Sequence, residues 1–148
     1  GCECKRVAVD HLLMLVSAVS EGDERRAIDN IMTRLRSIVE ETGAGIILVS
    51  HLRRVDGNKG HENGIEVNLS HLRGSQSIAQ LSDCVLALER NQQSDDGNES
   101  RTTKVRVLKS RYTGDVGMAT HLLYDSNSGR LSEVDISDIQ VDEDEHGF

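Results

Sequence analysis

Two apolar runs each end on residues that can do chemistry. Val7-Ala8-Val9 runs into Asp10-His11, and Ile46-Ile47-Leu48-Val49 runs into Ser50-His51. Aliphatic runs of this kind, with Gly45 just ahead of the second, predict strands buried on both faces, as parallel sheets use them. In open parallel sheets, ligands sit beyond the carboxyl ends of the strands. A carboxylate at one such end and a histidine at the other point at one place. That pairing suits a nucleoside triphosphate with its magnesium.

The segment between these runs predicts the connection. Asp23 can cap a helix. From Glu24 to Glu41, Ala27, Ile28, Ile31, Met32, Leu35, Ile38 and Val39 recur at helical spacing on one face. Gly43 or Gly45 ends that helix. Strand, helix and strand Gly45–Ser50 then form a right-handed crossover unit of a parallel sheet. Residues 11–22 predict a loop with a helical turn. Leu52 to Arg73 is long, polar and charged, and a loop of that length is usually functional or disordered. Further elements are a short helix over Gly74–Ser82, strands over Cys84–Glu89 and Thr103–Leu108, and a hairpin. The hairpin pairs His121–Tyr124 with Arg130–Val134 around Asp125-Ser126-Asn127-Ser128-Gly129.

The chain has 148 residues, enough for one core, and with aromatics at 2% that core is aliphatic. Its lack of proline has no physical explanation here. No run approaches the roughly 20 apolar residues of a membrane span, nothing resembles a signal peptide, and a cytoplasmic setting is expected. Cys2, Cys4 and Cys84 form no framework, and Cys2-x-Cys4 alone is a poor match to structural zinc spacing.

The net charge of −8 is uneven: residues 1–131 carry 17 Lys or Arg and 18 Asp or Glu, while the rest carries seven acids and no Lys or Arg. This predicts a nearly neutral body and a separate acidic tail, disordered over Ile136–Phe148. The abrupt start, Gly1 leading within five residues into a strand, suggests a piece of a longer polypeptide.

Five segments, in order, carry a family resemblance: VAVDHL (7–12), GIILVSHLRR (45–54), HLRGSQSIAQLSD (71–83), VLALERNQQ (85–93) and VRVLKSRYTGD (105–115). Together they resemble the C-terminal half of a ring-shaped replicative helicase, above all the bifunctional primase–helicases of short-tailed T-odd phages. The mitochondrial helicase Twinkle and bacterial DnaB are more distant relatives. The resemblance implies the C-terminal part of a RecA-like α/β core over residues 1–134, with 135–148 as the tail. The expected sheet is mostly parallel, flanked by helices and ending in a β-hairpin. The resemblance further implies a hexamer or heptamer around single-stranded DNA, using Mg2+ with ATP or dTTP. The family's Gly-rich phosphate loop, and the glutamate that activates water, are not among these residues, so the chain alone is expected to be inactive.

Residue by residue, the resemblance makes Asp10 the holder of a Mg2+-bound water; a surface Asp after a strand is the plainer reading. His51 resembles the sensor of the terminal phosphate, against the commoner fate of a lone His bonded to a carbonyl. Gln80 matches a glutamine linking nucleotide state to the DNA-facing loop, or is simply a helix-surface residue. Arg53, Arg54, Asn58, Lys59 and Arg73 would contact DNA phosphates, although Asp56, Glu62 and Glu66 nearly cancel the charge of a merely solvated loop. Lys109 and Arg111, two apart and so expected on one face, match an arginine finger (Arg111) and its helper. With Val105 and Val107 expected inward, a cationic continuation at 109 and 111 is unusual. Arg90 and Tyr124 match a pair that sandwiches the base; Tyr124 as a hairpin packing residue is the alternative. Phe148, ending the acidic tail, matches an anchor for the replicative polymerase, where a solubilising tail is the bland alternative. A strand-exchange recombinase, or a non-catalytic or split-gene subunit, are the competing functions.

Overall fold

The computed structural model describes residues 4–17, 23–53, 61, 65–72 and 76–135. The chain divides into two compact units, one of Gly1–Arg53 with Leu69–Ser82 and the other of Arg54–Asn68 with Asp83–Phe148.

The first unit opens with β1 (Arg6–Val9), α1 (Leu12–Ser17), α2 (Glu24–Thr42) and β2 (Gly45–Leu48). The helical face read from the sequence is the buried one. Asp23 caps α2, accepting from the backbone N–H groups of Arg25 and Arg26. At the other end Gly43 adopts φ 68°, and its N–H donates to Val39 O at 2.9 Å. That left-handed conformation strains any residue with a Cβ. Ala27, Ile28 and Met32 of α2 meet Leu12 and Val16 of α1, and Ile78 of α3 (Gln76–Leu81), in one core.

β1 and β2 pair in parallel, with Val7 beside Ile46 and Val9 beside Leu48. The expected parallel pairing of two strands joined through a helix is thus present. The expected burial on both faces is not found: Leu48 packs on the core, whereas Ile47 is 61% exposed. In a strand, side chains alternate between faces, and among the described residues the helical layer covers one face. The ends of the long polar segment are tied together: Leu52 and Leu72 form an antiparallel bridge, and Arg53 N–H donates to His71 O at 2.9 Å.

The second unit is a four-stranded sheet in the order β3 (Cys84–Glu89), β4 (Thr102–Ser110), β5 (Gly117–Asp125), β6 (Arg130–Val134), antiparallel throughout. The final hairpin is as read, but antiparallel pairing begins two strands earlier. Its turn closes on local chemistry: Asp125 Oδ1 accepts from Asn127 N–H, and Gly129, at φ 69°, donates its N–H to Asp125 O at 2.8 Å.

The register contains a bulge that the alternation of valines hides. Val107 pairs with Leu86, yet Lys109 pairs with Val85, so Leu108 is an extra residue. A bulge moves following side chains to the opposite face. Val105 and Val107 therefore share the face of Leu88 and Leu86, which are 68% and 57% exposed. Lys109 falls opposite Val85, on the face of buried Ala87 and Glu89. Val105 and Val107 are themselves half-buried, and the expectation that their face continues to Lys109 is corrected accordingly. Arg111 lies beyond the end of β4 in a turn, where strand alternation no longer applies.

Candidate functional site

In the first unit, Asp10 and His51 emerge just beyond β1 and β2, at the carboxyl ends of the parallel pair. Backbone bonds fasten these ends: Val49 N–H donates to Val9 O, and Leu12 N–H to Val49 O, both at 2.9 Å. Both Asp10 and His51 are exposed. The His51 ring meets His11, with centroids 4.2 Å apart and planes inclined at 47°. Among the described residues no group of three or more His, Cys, Asp or Glu is placed to hold a metal. A single exposed carboxylate still fits Mg2+, which keeps several waters and takes one or two carboxylates plus substrate phosphates. Gln80 is exposed on α3.

In the second unit, Arg90 follows β3 in the alternation of Leu86 and Leu88, and Leu88 pairs with Val105. Thr103, on the face of Val105, pairs with Leu122, and Tyr124 shares that face. Arg90 and Tyr124 thus lie on one face and at one end of the sheet, with β4 between them. That face is apolar and open, with Tyr124 itself 38% exposed. An open apolar surface bordered by a guanidinium and a phenol ring offers both stacking modes that a nucleobase accepts.

Arg111 is anchored twice to Asp83. Its guanidinium lies 2.9 Å from Asp83 Oδ1, and its N–H donates to Asp83 O at 2.8 Å. Lys109 is half-buried on β4.

A charged cluster that the sequence reading missed lies on the covered face. Glu89 Oε1 accepts from Arg106 Nε at 3.0 Å and from Val67 N–H at 2.9 Å. Arg106 also reaches Glu66 at 3.1 Å. Glu89 is almost wholly buried, so its charge requires these partners. Nothing in the local pattern signals a strand cation paired with residues so distant along the chain. The period-2 reading of the strand was the available clue, since it places Glu89 on the face of Ala87.

Arg53 is exposed at the start of the long polar segment. Arg54, Asn58, Lys59, Arg73 and Phe148 lie outside the described residues.

Comparison with known proteins adds to this geometry. Residues 2–133 match the family described as DnaB-like helicase C terminal domain. The chain belongs to this family. DnaB-like helicases use NTP with Mg2+, act on DNA and form rings. The chain is 42% identical over 131 residues to the DNA helicase/primase of Enterobacteria phage T3, covering 88% of this chain and 23% of that protein. It therefore spans about a quarter of that relative's length. A solved structure titled "The Structure Of A DnaB-Like Replicative Helicase And Its Interactions With Primase" superposes with TM-score 0.72 at 23% identity, over 88% of this chain and 31% of that one. At that identity the likeness speaks for the fold, a RecA-like α/β core. Among the described residues no helix is long and apolar enough to cross a membrane.

Proposed function

We propose that residues 1–134 are the C-terminal part of the ATPase domain of a ring-shaped replicative DNA helicase. In this reading NTP hydrolysis drives translocation on single-stranded DNA and unwinding of duplex. The observation that carries it is the placement of Asp10 and His51 at the carboxyl ends of two paired parallel strands, in a chain of the DnaB-like family. A nucleotide is held where such strands end.

Asp10 would hold Mg2+ through water, and the ion neutralises charge on the phosphates of ATP or dTTP. His51 can donate a hydrogen bond to the terminal phosphate and lose it after hydrolysis. The chain continues directly from His51 into the long polar segment, which supports a relay to DNA. Gln80 would report nucleotide state from α3. Arg53, Arg54, Asn58, Lys59 and Arg73 would meet DNA phosphates in the channel, needing charge and no aromatics. Arg90 and Tyr124 would hold the base, tolerating more than one base because stacking needs no base-specific hydrogen bond. Arg111, helped by Lys109, would reach the nucleotide of a neighbouring subunit in a hexamer or heptamer. The acidic tail, residues 135–148, would dock Phe148 on the phage DNA polymerase in the host cytoplasm. Residues 1–148 alone would not turn over NTP, since they hold no Gly-rich phosphate loop.

The test is unwinding of a forked duplex by the whole polypeptide that carries this chain. NTP-dependent strand separation, abolished by Asp10→Asn, is expected. Unwinding that persists in Asp10→Asn, or no unwinding with any NTP, would reject the proposal.

A further inference from the structure

His11 has no role in the site proposed so far, yet its ring lies against the ring of His51. The two histidines leave adjacent strand ends. What distinguishes them is how firmly each is held. His11 is half-buried and is followed by Leu12, which is 1% exposed in the core and bonded through its N–H to Val49 O. His11 Nδ1 is enclosed and takes no hydrogen bond among the described residues. Packing, not a polar contact at that nitrogen, places the ring. His51 is exposed. An exposed imidazole samples several rotamers, and each must be given up when a phosphate is bound.

We propose that His11 is a positioning residue that braces the His51 imidazole in the rotamer presented to the terminal phosphate. The proposal rests on the reading of His51 as phosphate sensor. The tilted ring contact removes rotational freedom in advance, which matters most in the step where a reacting group must be met in one geometry. His11 touches no nucleotide in this scheme and acts through His51.

The experiment uses the whole ring-forming polypeptide with His11→Ala, His11→Phe, His11→Leu, His51→Ala and the His11→Ala/His51→Ala pair. DNA-stimulated NTP turnover and equilibrium nucleotide affinity are measured, with ring assembly and thermal melting as folding controls. His11→Ala is expected to lower kcat about tenfold while nucleotide affinity changes less than about threefold, a loss typical of modest misplacement. His11→Phe keeps a flat ring and should recover turnover to within about threefold of wild type, whereas His11→Leu, which fills space without a ring plane, should not. The double variant should be no worse than His51→Ala alone, the sign that the two act as one unit. Wild-type turnover in His11→Ala, equal activity of the Phe and Leu variants, or losses that multiply in the pair would overturn the proposal. Should His11→Ala fail to fold, the Phe and Leu comparison still decides. If His51→Ala itself retains turnover, the sensor reading fails. If His51→Ala is inactive while His11→Ala is active, only the bracing role fails.

Discussion

Arg111 and Asp83 are joined through both side chain and backbone, the guanidinium lying 2.9 Å from the carboxylate and the N–H donating to Asp83 O at 2.8 Å. The side chains remain 44% and 28% exposed. An ion pair with that access to water contributes only about 0.2–1 kcal/mol. The guanidinium is thus held in place, yet can exchange its carboxylate for a phosphate at little cost. In the whole protein Arg111→Ala should lower NTP turnover by about 10³-fold or more, the scale of arginine fingers in related phosphoryl transfer, with nucleotide binding largely kept. Mixed with Asp10→Ala subunits, the variant should regain part of its activity, because the two defects fall at different interfaces in some rings. If no mixture recovers activity and Arg111→Ala melts early, the residue is structural. Asp83→Asn should fold normally and lose no more than about tenfold in kcat, since the backbone anchor survives.

The buried Glu89–Arg106 pair makes a prediction about stability. Arg106→Ala leaves the nearly inaccessible Glu89 carboxylate with the Val67 N–H and without its cation. Breaking a buried pair in this way costs about 3–5 kcal/mol. Replacing both residues together, Glu89→Leu with Arg106→Met, should cost less than Arg106→Ala alone. Urea denaturation of the wild type and these two variants checks this, and equal losses for the single and double changes would refute it.

Two carboxylates link stability to pH. Hydrogen bonds from Ser94, then Asn91, hold the Glu99 carboxyl below its usual pKa. A hydrogen bond from Ser128, then the Asn127 backbone N–H, does the same for Asp125. A carboxylate whose folded pKa is depressed stabilises the fold above its unfolded pKa and loses that contribution as pH falls through the folded value. Thermal midpoints should therefore fall on acidification through the carboxylate range. The slope should be shallower for Asp125→Asn and Glu99→Gln, and both groups are exposed enough that the change is small. An unchanged slope in both variants would contradict the assignment.

The base platform is tested by Tyr124→Phe and Tyr124→Ala. Base–aromatic stacking is worth about 1–3 kcal/mol by alanine substitution. Tyr124→Ala should raise the nucleotide KM by about tenfold, whereas Tyr124→Phe keeps the ring and should stay near wild type. Phe and Ala variants with the same KM would leave Tyr124 as a packing residue of the hairpin.

For the tail, deletion of Phe148 should weaken association with the replicative polymerase while NTP turnover of the ring stays unchanged. The interaction of an acidic run with a basic partner should also weaken with salt. Polymerase affinity that is identical with and without residues 132–148, at low and high salt, would remove this role.

Much of the architecture was legible because it rests on local rules. The helical spacing from Ala27 to Val39, the Asp23 cap and Gly43 delimit α2 as observed. Cys84–Glu89 and Arg130–Val134 coincide with β3 and β6. What was not legible depends on partners remote in sequence. The bulge at Leu108 is a property of the β3–β4 register, which strand alternation alone cannot reveal. Arg106 reads locally as a solvent-facing cation, and its partners Glu66 and Glu89 become neighbours only through folding. The aliphatic runs before Asp10 and Ser50 predicted burial on two faces, but Ile47 remains open because burial depends on what else packs there. Of the candidate site, the placement of Asp10 and His51 at strand ends was readable; the His11 ring against His51 was not, since no spacing rule connects them.

The central claim is that Asp10 and His51 serve an NTP-driven DNA motor. Its most direct test is NTP turnover by the whole polypeptide carrying this chain, with and without single-stranded DNA, in wild type, Asp10→Asn and His51→Ala. Turnover that rises with DNA in the wild type, and is lost in both variants while rings still assemble, is the predicted result. Turnover that ignores DNA, or that survives Asp10→Asn, would contradict it.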